Sequence, residues 1–304
     1  MADTTQKACF KGIVAPIVSP CDEKDNLDMA ALTGNFERLL KSPIDGMYLC
    51  GGTGDGENLS LEERKLITQM LAPELKRAGK CAIIHVGQTH QRHAVALCEH
   101  AAQVGADAVA SIPPRAPQKE TAAFYRALAS ADLPVFVYYI PAVTGKASPL
   151  EELCEILDIP GVAGIKMSDW NLFLLRQVKL LYPEKIVYSG YDELLALGLL
   201  SGADGSIGTW ANLFPDMYAK AYRLAGEGRL NELTALQNKF TAFLALGWRF
   251  GIIDTFEELM AAKGYAKRCF RSPSSWYPGK VGEAALRELL SRMEDIDGFV
   301  ASLP

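Results

Sequence analysis

Two residues of this sequence have side chains suited to covalent chemistry on a carbonyl group. Lys166 lies in the otherwise apolar run 162–168, and Tyr138 lies near the end of another apolar run, 135–141. Burial in a strand removes hydration from the lysine, which disfavours its charged form, and a neutral amine attacks a ketone or aldehyde carbon. A nearby phenol can carry the protons that such a reaction moves. The pair predicts an imine-forming lyase; the alternative is a strand-end lysine whose amine reaches to water.

These side chains must be positioned by short strands that alternate with helices. Most of the apolar runs are nearly continuous, which indicates strands buried on both faces of a parallel sheet. The eight runs span residues 12–19, 46–52, 81–87, 107–113, 134–140, 162–168, 185–190 and 203–209. Helix signals separate them, including a capping box at Ser60 and Glu63. Eight strand–helix units predict an α/β fold, a (β/α)8 TIM barrel. A doubly wound sheet is the alternative, although no Gly-x-Gly-x-x-Gly turn follows the first strand.

The pattern changes toward the C-terminal end. Amphipathic helices are predicted over residues 219–246, 255–263 and 282–303, with a loop at 271–279. We expect residues 1–225 to form the barrel and residues 226–304 to form a C-terminal helical extension packed on it.

Polar residues follow several of the predicted strands, whose carboxyl ends meet at one mouth of such a barrel. The glycine-rich segment that contains Gly52 and Thr53 follows the second strand, where N–H groups and a hydroxyl could bind a small carboxylate. A tight turn without a ligand is the alternative. Further candidates at the strand ends are Ser168, Gly190, Asp192, Glu193, Gly208 and Thr209. Their convergence around one lysine favours an active site.

Composition narrows the class of protein. The chain has 304 residues and a net charge of −5, so a nucleic-acid partner is not expected. No apolar run approaches the roughly 20 residues of a membrane span, and no secretory signal is visible. The seven cysteines are irregularly spaced without a Cys-x-x-Cys pair, which favours small buried hydrophobic residues and a reduced, cytoplasmic setting.

No metal site is expected from the histidines. His90 and His93 lie one helical turn apart, but no acid or cysteine completes a ligand set, so both are interpreted as residues of a helix surface. His85 falls inside the third predicted strand and is interpreted as a buried residue of the barrel interior.

Five ordered motifs resemble those of one known family. They lie at residues 51–55, 138–145, 164–169, 190–193 and 202–209. The chain is similar over nearly its whole length to the family of pyruvate-dependent lyases and synthases that holds dihydrodipicolinate synthase and N-acetylneuraminate lyase, and it resembles the N-acetylneuraminate lyases most. The resemblance implies a (β/α)8 barrel with a C-terminal helical extension, a homotetramer, a small-molecule 2-keto acid as substrate, and no metal or organic cofactor.

The resemblance also implies roles for the residues at the mouth. Lys166 would form an imine with C2 of an open-chain 2-keto sugar acid, and Tyr138 would carry the proton of the C4 hydroxyl. Thr53 and the N–H groups of the loop at Gly52 would hold the carboxylate. Residues at the ends of strands six to eight would hold the rest of the substrate: Ser168, Gly190, Asp192, Glu193, Gly208 and Thr209. The expected reaction is retro-aldol cleavage to pyruvate and an aldehyde sugar.

Two departures from the family pattern keep alternatives open. Gly52 stands where family members carry a hydroxyl that hydrogen-bonds the active-site tyrosine, and Pro114 and Arg115 replace an aromatic pair. Both features resemble family members that dehydrate 2-keto-3-deoxy sugar acids, so a dehydratase or aldolase of that type is one alternative. A barrel that binds a keto acid without turnover is another. A dihydrodipicolinate synthase is disfavoured because residues 142–143 lack the arginine that the synthase uses for a second carboxylate.

Overall fold

The strands close into a barrel in the computed structural model, which describes residues 9–87, 90–268, 271 and 281–304. Neighbouring strands pair in parallel from β1 to β8, and β8 pairs with β1. The strands are β1 Gly12–Pro16, β2 Gly46–Leu49, β3 Cys81–His85, β4 Ala108–Ser111, β5 Val135–Tyr139, β6 Val162–Met167, β7 Ile186–Ser189 and β8 Gly205–Ser206. The predicted TIM barrel is confirmed.

Helices cover the outside of the barrel and continue beyond it. In chain order they are α1 Met29–Leu40, α2 Leu61–Arg77, α3 Gln91–Gln103, α4 Gln118–Ala129, α5 Pro141–Thr144, α6 Leu150–Leu157, α7 Leu172–Leu181, α8 Leu195–Leu200, α9 Pro215–Gly226, α10 Leu230–Trp248, α11 Ile252–Ala262 and α12 Glu283–Ser302. Ser60 begins α2 with the predicted capping box, because the Glu63 N–H donates to its hydroxyl and the Ser60 N–H donates to the Glu63 carboxylate. Among the described residues, no helix has the length and apolar character needed to span a bilayer.

Several boundaries differ from the prediction. The sequence pattern predicts one helix over residues 219–246, but α9 and α10 are separate because the chain turns at Gly228, whose φ is +68°. The strand expected over 203–209 is shorter, and a 3-10 turn begins at Thr209. Except for Arg271, the predicted loop 271–279 lies outside the described residues. The division into barrel and extension at residue 226 stays a prediction.

Two groups of apolar side chains fill the molecule. The larger group packs between the strands and the surrounding helices. The smaller group fills the inside of the barrel, and we call it the interior cluster: Phe10, Val14, Tyr48, Cys81, Ile83, Ala108, Ala110, Phe136, Tyr138, Ile186, Tyr188 and Ile207. Successive side chains of a strand point to opposite faces. Tyr138 therefore belongs to the interior cluster, whereas Tyr139 packs in the outer group.

The cysteines are not all in the same state. Cys50, Cys81 and Cys98 are buried free thiols, as expected of small hydrophobic residues, but Cys21 is disulfide-bonded. Cys21 is therefore an exception to the reduced thiols that the predicted setting favours.

Candidate active site

Strand β6 holds Lys166 inside the mouth of the barrel. Its partners in the neighbouring strands are Tyr138 on β5 and Tyr188 on β7. Lys166 is only 6% exposed, so it is not a strand-end lysine whose amine reaches bulk water. The Nζ atom lies 4.1 Å from the ring centroid of Tyr138 and 5.2 Å from that of Tyr48. Both ring faces attract a cation and confine the amine within the mouth.

Aromatic rings close the barrel beneath the lysine. The ring centroids of Phe10 and Phe136 are 5.3 Å apart, and those of Phe136 and Tyr188 are 5.7 Å apart. Phe10 precedes β1, and its carbonyl oxygen accepts a hydrogen bond from the Tyr188 hydroxyl. All three residues are buried. The space around Lys166 therefore opens toward the carboxyl ends of the strands.

Tyr138 is held in place by two further rings. The ring centroids of Tyr48 and His85 lie 6.3 Å and 6.2 Å from that of Tyr138, both in edge-to-face contact. Burial, together with the cations Arg64 and Lys166, holds the pKa of His85 well below its usual value, so the imidazole is neutral. The prediction that His85 is buried is confirmed, and its contact with Tyr138 is an addition that no local pattern indicates.

The glycine-rich segment after β2 forms a 3-10 turn, Gly52–Gly54. The Thr53 hydroxyl lies 2.8 Å from the Thr209 hydroxyl, which ties this turn to the turn after β8. The N–H groups of Gly52 and Thr53 have no acceptor within the described part of the chain. A Cβ placed on Gly52 would meet no atom within 4 Å, so the position is open. Two adjacent N–H groups beside a hydroxyl suit a small carboxylate.

Two glycines at the mouth allow close packing of site residues. A Cβ on Gly190 would lie 2.1 Å from the Ser168 Oγ and 3.1 Å from the Lys166 Cε. A Cβ on Gly208 would lie 2.1 Å from the Asp192 Oδ1. The backbone at both positions therefore approaches side chains that the sequence assigns to the site, and a larger residue would displace them.

The carboxylate of Asp192 is buried and engaged by the protein itself. It accepts hydrogen bonds from the N–H groups of Thr209 and Trp210, each at 3.2 Å, and from the Tyr218 hydroxyl. Burial raises the pKa of Asp192 to about 7, while the Tyr218 hydrogen bond and the charge of Lys166 oppose that rise. Asp192 thus fixes the turn that carries Thr209, and its direct contact with a substrate stays a prediction.

Glu193 is engaged by a helix of the C-terminal region. Its Oε1 accepts a hydrogen bond from the indole N–H of Trp248 at 2.9 Å, and its carbonyl oxygen accepts one from the Gln237 side chain at 3.2 Å. Trp248 lies at the end of α10 and is 54% exposed. Sequence patterns do not reveal the pairing of Glu193 with Trp248, because 55 positions separate the two residues.

A cavity of about 650 Å³ lies beside the mouth, among the loops that follow β3, β4 and β5. His85, Pro114 and Arg115 are part of its lining. The Arg115 guanidinium donates a hydrogen bond to the Val143 carbonyl at 3.0 Å, which anchors it next to the cavity.

Metal-ligating side chains are dispersed through the described part of the structure. No group of three or more His, Cys, Asp or Glu side chains that could hold a metal ion occurs there. His90 and His93 lie at the start of α3 with ring centroids 5.5 Å apart. Within the described residues, the ring neighbours of the Lys166 amine are the phenol rings of Tyr138 and Tyr48.

Fold and site together define a (β/α)8 barrel with a buried lysine on β6, a tyrosine beside it on β5 and a glycine turn after β2. The model of the dihydrodipicolinate synthetase family matches residues 9–280. The chain therefore belongs to the dihydrodipicolinate synthetase family.

Relatives by sequence include N-acetylneuraminate lyases, which confirms the expected resemblance. The lyase of Escherichia fergusonii is 33% identical over 249 residues, which cover 80% of this chain and 83% of that lyase. The lyase of Escherichia coli K12 / DH10B gives the same identity and coverage.

Solved structures share the fold of this chain at lower identity. A sialic acid aldolase of Ruminococcus gnavus with a mutated catalytic lysine has a TM-score of 0.88 at 22% identity, over 98% of this chain and 99% of that chain. The 4-hydroxy-tetrahydrodipicolinate synthase of Methylacidiphilum fumariolicum SolV has a TM-score of 0.87 at 24% identity, over 96% of this chain and 98% of that chain.

Proposed function

We propose that this protein is a class I, Schiff-base lyase that cleaves a 2-keto sugar acid such as N-acetylneuraminate to pyruvate and an aldehyde sugar. The observation that carries the proposal is a buried lysine amine 4.1 Å from the ring of a tyrosine on the neighbouring strand. The sequence relatives named N-acetylneuraminate lyase support the choice of substrate class.

Lys166 begins the proposed reaction as the nucleophile. Its amine nitrogen attacks the C2 carbonyl carbon, and a proton passes from the nitrogen to the oxygen of the adduct. Tyr138 then gives its phenolic proton to that oxygen, which leaves as water, so that an iminium ion stands beside a tyrosinate. The Thr53 hydroxyl and the N–H groups of the turn Gly52–Gly54 hold the carboxylate and align C2 with the amine.

Cleavage follows when the Tyr138 oxygen takes the proton of the C4 hydroxyl. The C3–C4 bond breaks, C4 becomes the aldehyde carbon of the sugar, and the electron pair turns the iminium into an enamine. Tyr138 returns the proton to C3, which restores the iminium, and water hydrolyses the iminium to pyruvate and free Lys166 while the released proton restores the phenol of Tyr138. Because the proton moves between one phenol and the substrate, this route needs no hydroxyl at Gly52.

The turns after β7 and β8 are proposed to hold the sugar tail. Ser168 and Thr209 offer hydroxyls, Glu193 offers a carboxylate, and Asp192 fixes the turn that carries Thr209. Buried sugar hydroxyls need such partners, because an unpaired polar group inside a protein costs free energy.

A 2-keto-3-deoxy sugar-acid dehydratase or aldolase is the second candidate. Two observations favour it, namely the open space at Gly52 and the anchored Arg115 beside Pro114. The same imine at Lys166 would then promote loss of water from the substrate. A barrel that binds a keto acid without turning it over is the candidate of a different class.

Borohydride reduction in the presence of pyruvate, followed by peptide mass spectrometry, tests the imine step. We expect a reduced pyruvate adduct on Lys166 and none in Lys166→Arg, because a guanidinium stays protonated. An unmodified Lys166 peptide in the wild-type protein would rule the mechanism out.

A coupled assay for pyruvate separates the candidate reactions. The lyase releases pyruvate from a sugar acid, whereas the dehydratase yields a longer keto acid and no pyruvate. An adduct on Lys166 without turnover of any sugar acid would favour the binding barrel.

We also propose that the protein is a homotetramer. The adjacent outer helices α7 and α8 expose large apolar side chains, with Phe173 72% and Leu180 65% exposed. Leu181, Leu197 and Leu200 of the same two helices are also about half exposed, and exposed apolar patches mark interaction sites. Light scattering on the purified protein measures its mass, and a monomer would contradict the proposal. A cytoplasmic location stays a prediction.

A further inference from the structure

A buried ion pair lies next to the glycine turn. Glu257 in α11 is 0% exposed, and the Arg268 side chain is 7% exposed. The Arg268 Nε lies 3.0 Å from the Glu257 Oε1, and the Arg268 backbone N–H donates to Oε2 at 3.1 Å. Removing two charges from water costs free energy, and apolar replacements of buried ion pairs are often neutral or stabilising. Stability alone is therefore a weak reason for this pair.

Arg268 connects the ion pair to the proposed carboxylate site. Its Nη1 donates to the carbonyl oxygen of Gly52 at 3.5 Å, and the same oxygen accepts a hydrogen bond from the Asp55 N–H at 3.1 Å. The segment that follows α11 thus contacts the turn Gly52–Gly54.

The Gly52 carbonyl that Arg268 contacts belongs to the same rigid peptide group as the Thr53 N–H. In a trans peptide the two groups point in opposite directions, so a donor held on the Gly52 oxygen fixes the direction of the Thr53 N–H. Gly52 makes this constraint important, because a glycine permits many backbone conformations and no neighbouring atom restricts the position where a Cβ would stand. Arg268 adds a second donor to the one that the Asp55 N–H already supplies to this carbonyl oxygen.

We propose that Arg268, itself held by Glu257, is a positioning residue that fixes the Gly52–Thr53 peptide group for binding of the 2-keto acid carboxylate. The inference rests on the proposed function, because the carboxylate is that of its substrate. Arg268 acts through the turn and does not touch the substrate. Its loss therefore weakens keto-acid binding more than it slows the covalent step at Lys166.

Arg268→Met combined with Glu257→Gln tests the positioning role. Methionine fills part of the space without offering a donor, and glutamine avoids an unpaired buried carboxylate. The readout is the pyruvate concentration that gives half-maximal borohydride trapping at Lys166. We expect it to rise roughly threefold, as for loss of one long hydrogen bond, while trapping at saturating pyruvate stays complete. An unchanged half-saturating concentration would overturn the proposal.

Arg271 provides the matched control. Its guanidinium pairs with the Glu63 carboxylate at 2.5 Å and 2.7 Å, and within the described residues it makes no contact with Gly52. Arg271→Met with Glu63→Gln removes a second ion pair from the same part of the chain and should leave the half-saturating pyruvate concentration unchanged. An equal rise in both double variants would trace the effect to a loosened segment and would refute the role of the peptide group.

A milder pair of variants covers the case in which the double variant does not fold. Gly52→Ala restricts the same peptide group directly, so Arg268→Lys should weaken pyruvate binding less in the Gly52→Ala background than in the wild type. Equal effects in both backgrounds would contradict the proposal.

The imine function and the positioning role fail in different ways. A wild-type protein that traps no pyruvate refutes the imine function. Normal trapping with an unaltered half-saturating pyruvate concentration in the Arg268 variants refutes the positioning role alone.

Discussion

Gly190→Ala is expected to displace the lysine amine without removing any functional group. The new Cβ would lie 2.1 Å from the Ser168 Oγ, 3.1 Å from the Lys166 Cε and 3.1 Å from the Met167 carbonyl oxygen. The serine hydroxyl can rotate away, but the backbone carbonyl cannot. Since carbon atoms pack favourably from about 3.5 Å, the Lys166 Cε has to move by roughly 0.4 Å or more.

The size of the effect follows from that displacement. Overpacking of a filled site costs about 1–3 kcal/mol of stability. A misplacement of about 1 Å can lower a rate roughly 10²-fold, so a shift of about half that size should lower kcat/KM for pyruvate release roughly tenfold. Gly190→Ala should therefore lose both stability and activity.

A coupled pyruvate assay and urea unfolding measure the two effects. Gly34→Ala is the matched control, because Gly34 lies inside α1 and a Cβ there meets no atom within 4 Å. That variant should gain about 0.5–1 kcal/mol from helix propensity and keep the wild-type kcat/KM. A Gly190→Ala protein with wild-type activity and wild-type stability would refute the steric reasoning.

Three further perturbations test single groups. Tyr138→Phe should slow sugar-acid cleavage by about 10²–10⁴-fold and slow pyruvate trapping at Lys166 less; equal losses would contradict its proton transfer at C4. Because the pKa of His85 is held well below its usual value, the folded protein keeps the imidazole neutral while the unfolded chain protonates below about pH 6.5. The neutral His85 therefore contributes unfolding free energy that is present above this pH and is lost as the pH falls. Between pH 7 and pH 5, the unfolding free energy of His85→Gln in urea should fall by about 2 kcal/mol less than that of the wild type. Equal decreases would count against a neutral His85. Thr209→Val removes the 2.8 Å hydrogen bond to Thr53 and should cost about 1 kcal/mol of unfolding free energy; wild-type stability would show that this bond does not tie the two turns.

Local sequence patterns predict most of the barrel, because parallel strands buried on both faces are continuously apolar. Strand β8 departs from this rule, since only Gly205 and Ser206 pair with β1 and β7 and the length of a strand depends on its partners. The sequence pattern also fails to predict the break between α9 and α10. The apolar spacing continues through both helices, whereas the positive φ of Gly228 ends the first one.

The candidate site likewise contains some residues that the sequence reveals and some contacts that it does not. Lys166 and Tyr138 can be found from the sequence because a charged or phenolic side chain in an apolar run is unusual. The contacts that surround them depend on packing between distant elements, such as the ring of His85 on β3 or the Tyr218 hydroxyl, which reaches Asp192 across 26 positions. Residue type therefore indicates the candidate functional groups, and tertiary structure determines which of them already form hydrogen bonds within the protein.

The closed aromatic layer beneath Lys166 has a kinetic consequence for the proposed reaction. The carboxylate end of the substrate has to enter first to reach the turn Gly52–Gly54, so the sugar end stays nearer to solvent. After cleavage the aldehyde stands between pyruvate and the mouth of the barrel, while pyruvate is still bonded to Lys166. Products should leave in a compulsory order, sugar before pyruvate, and in the direction of synthesis pyruvate has to bind first.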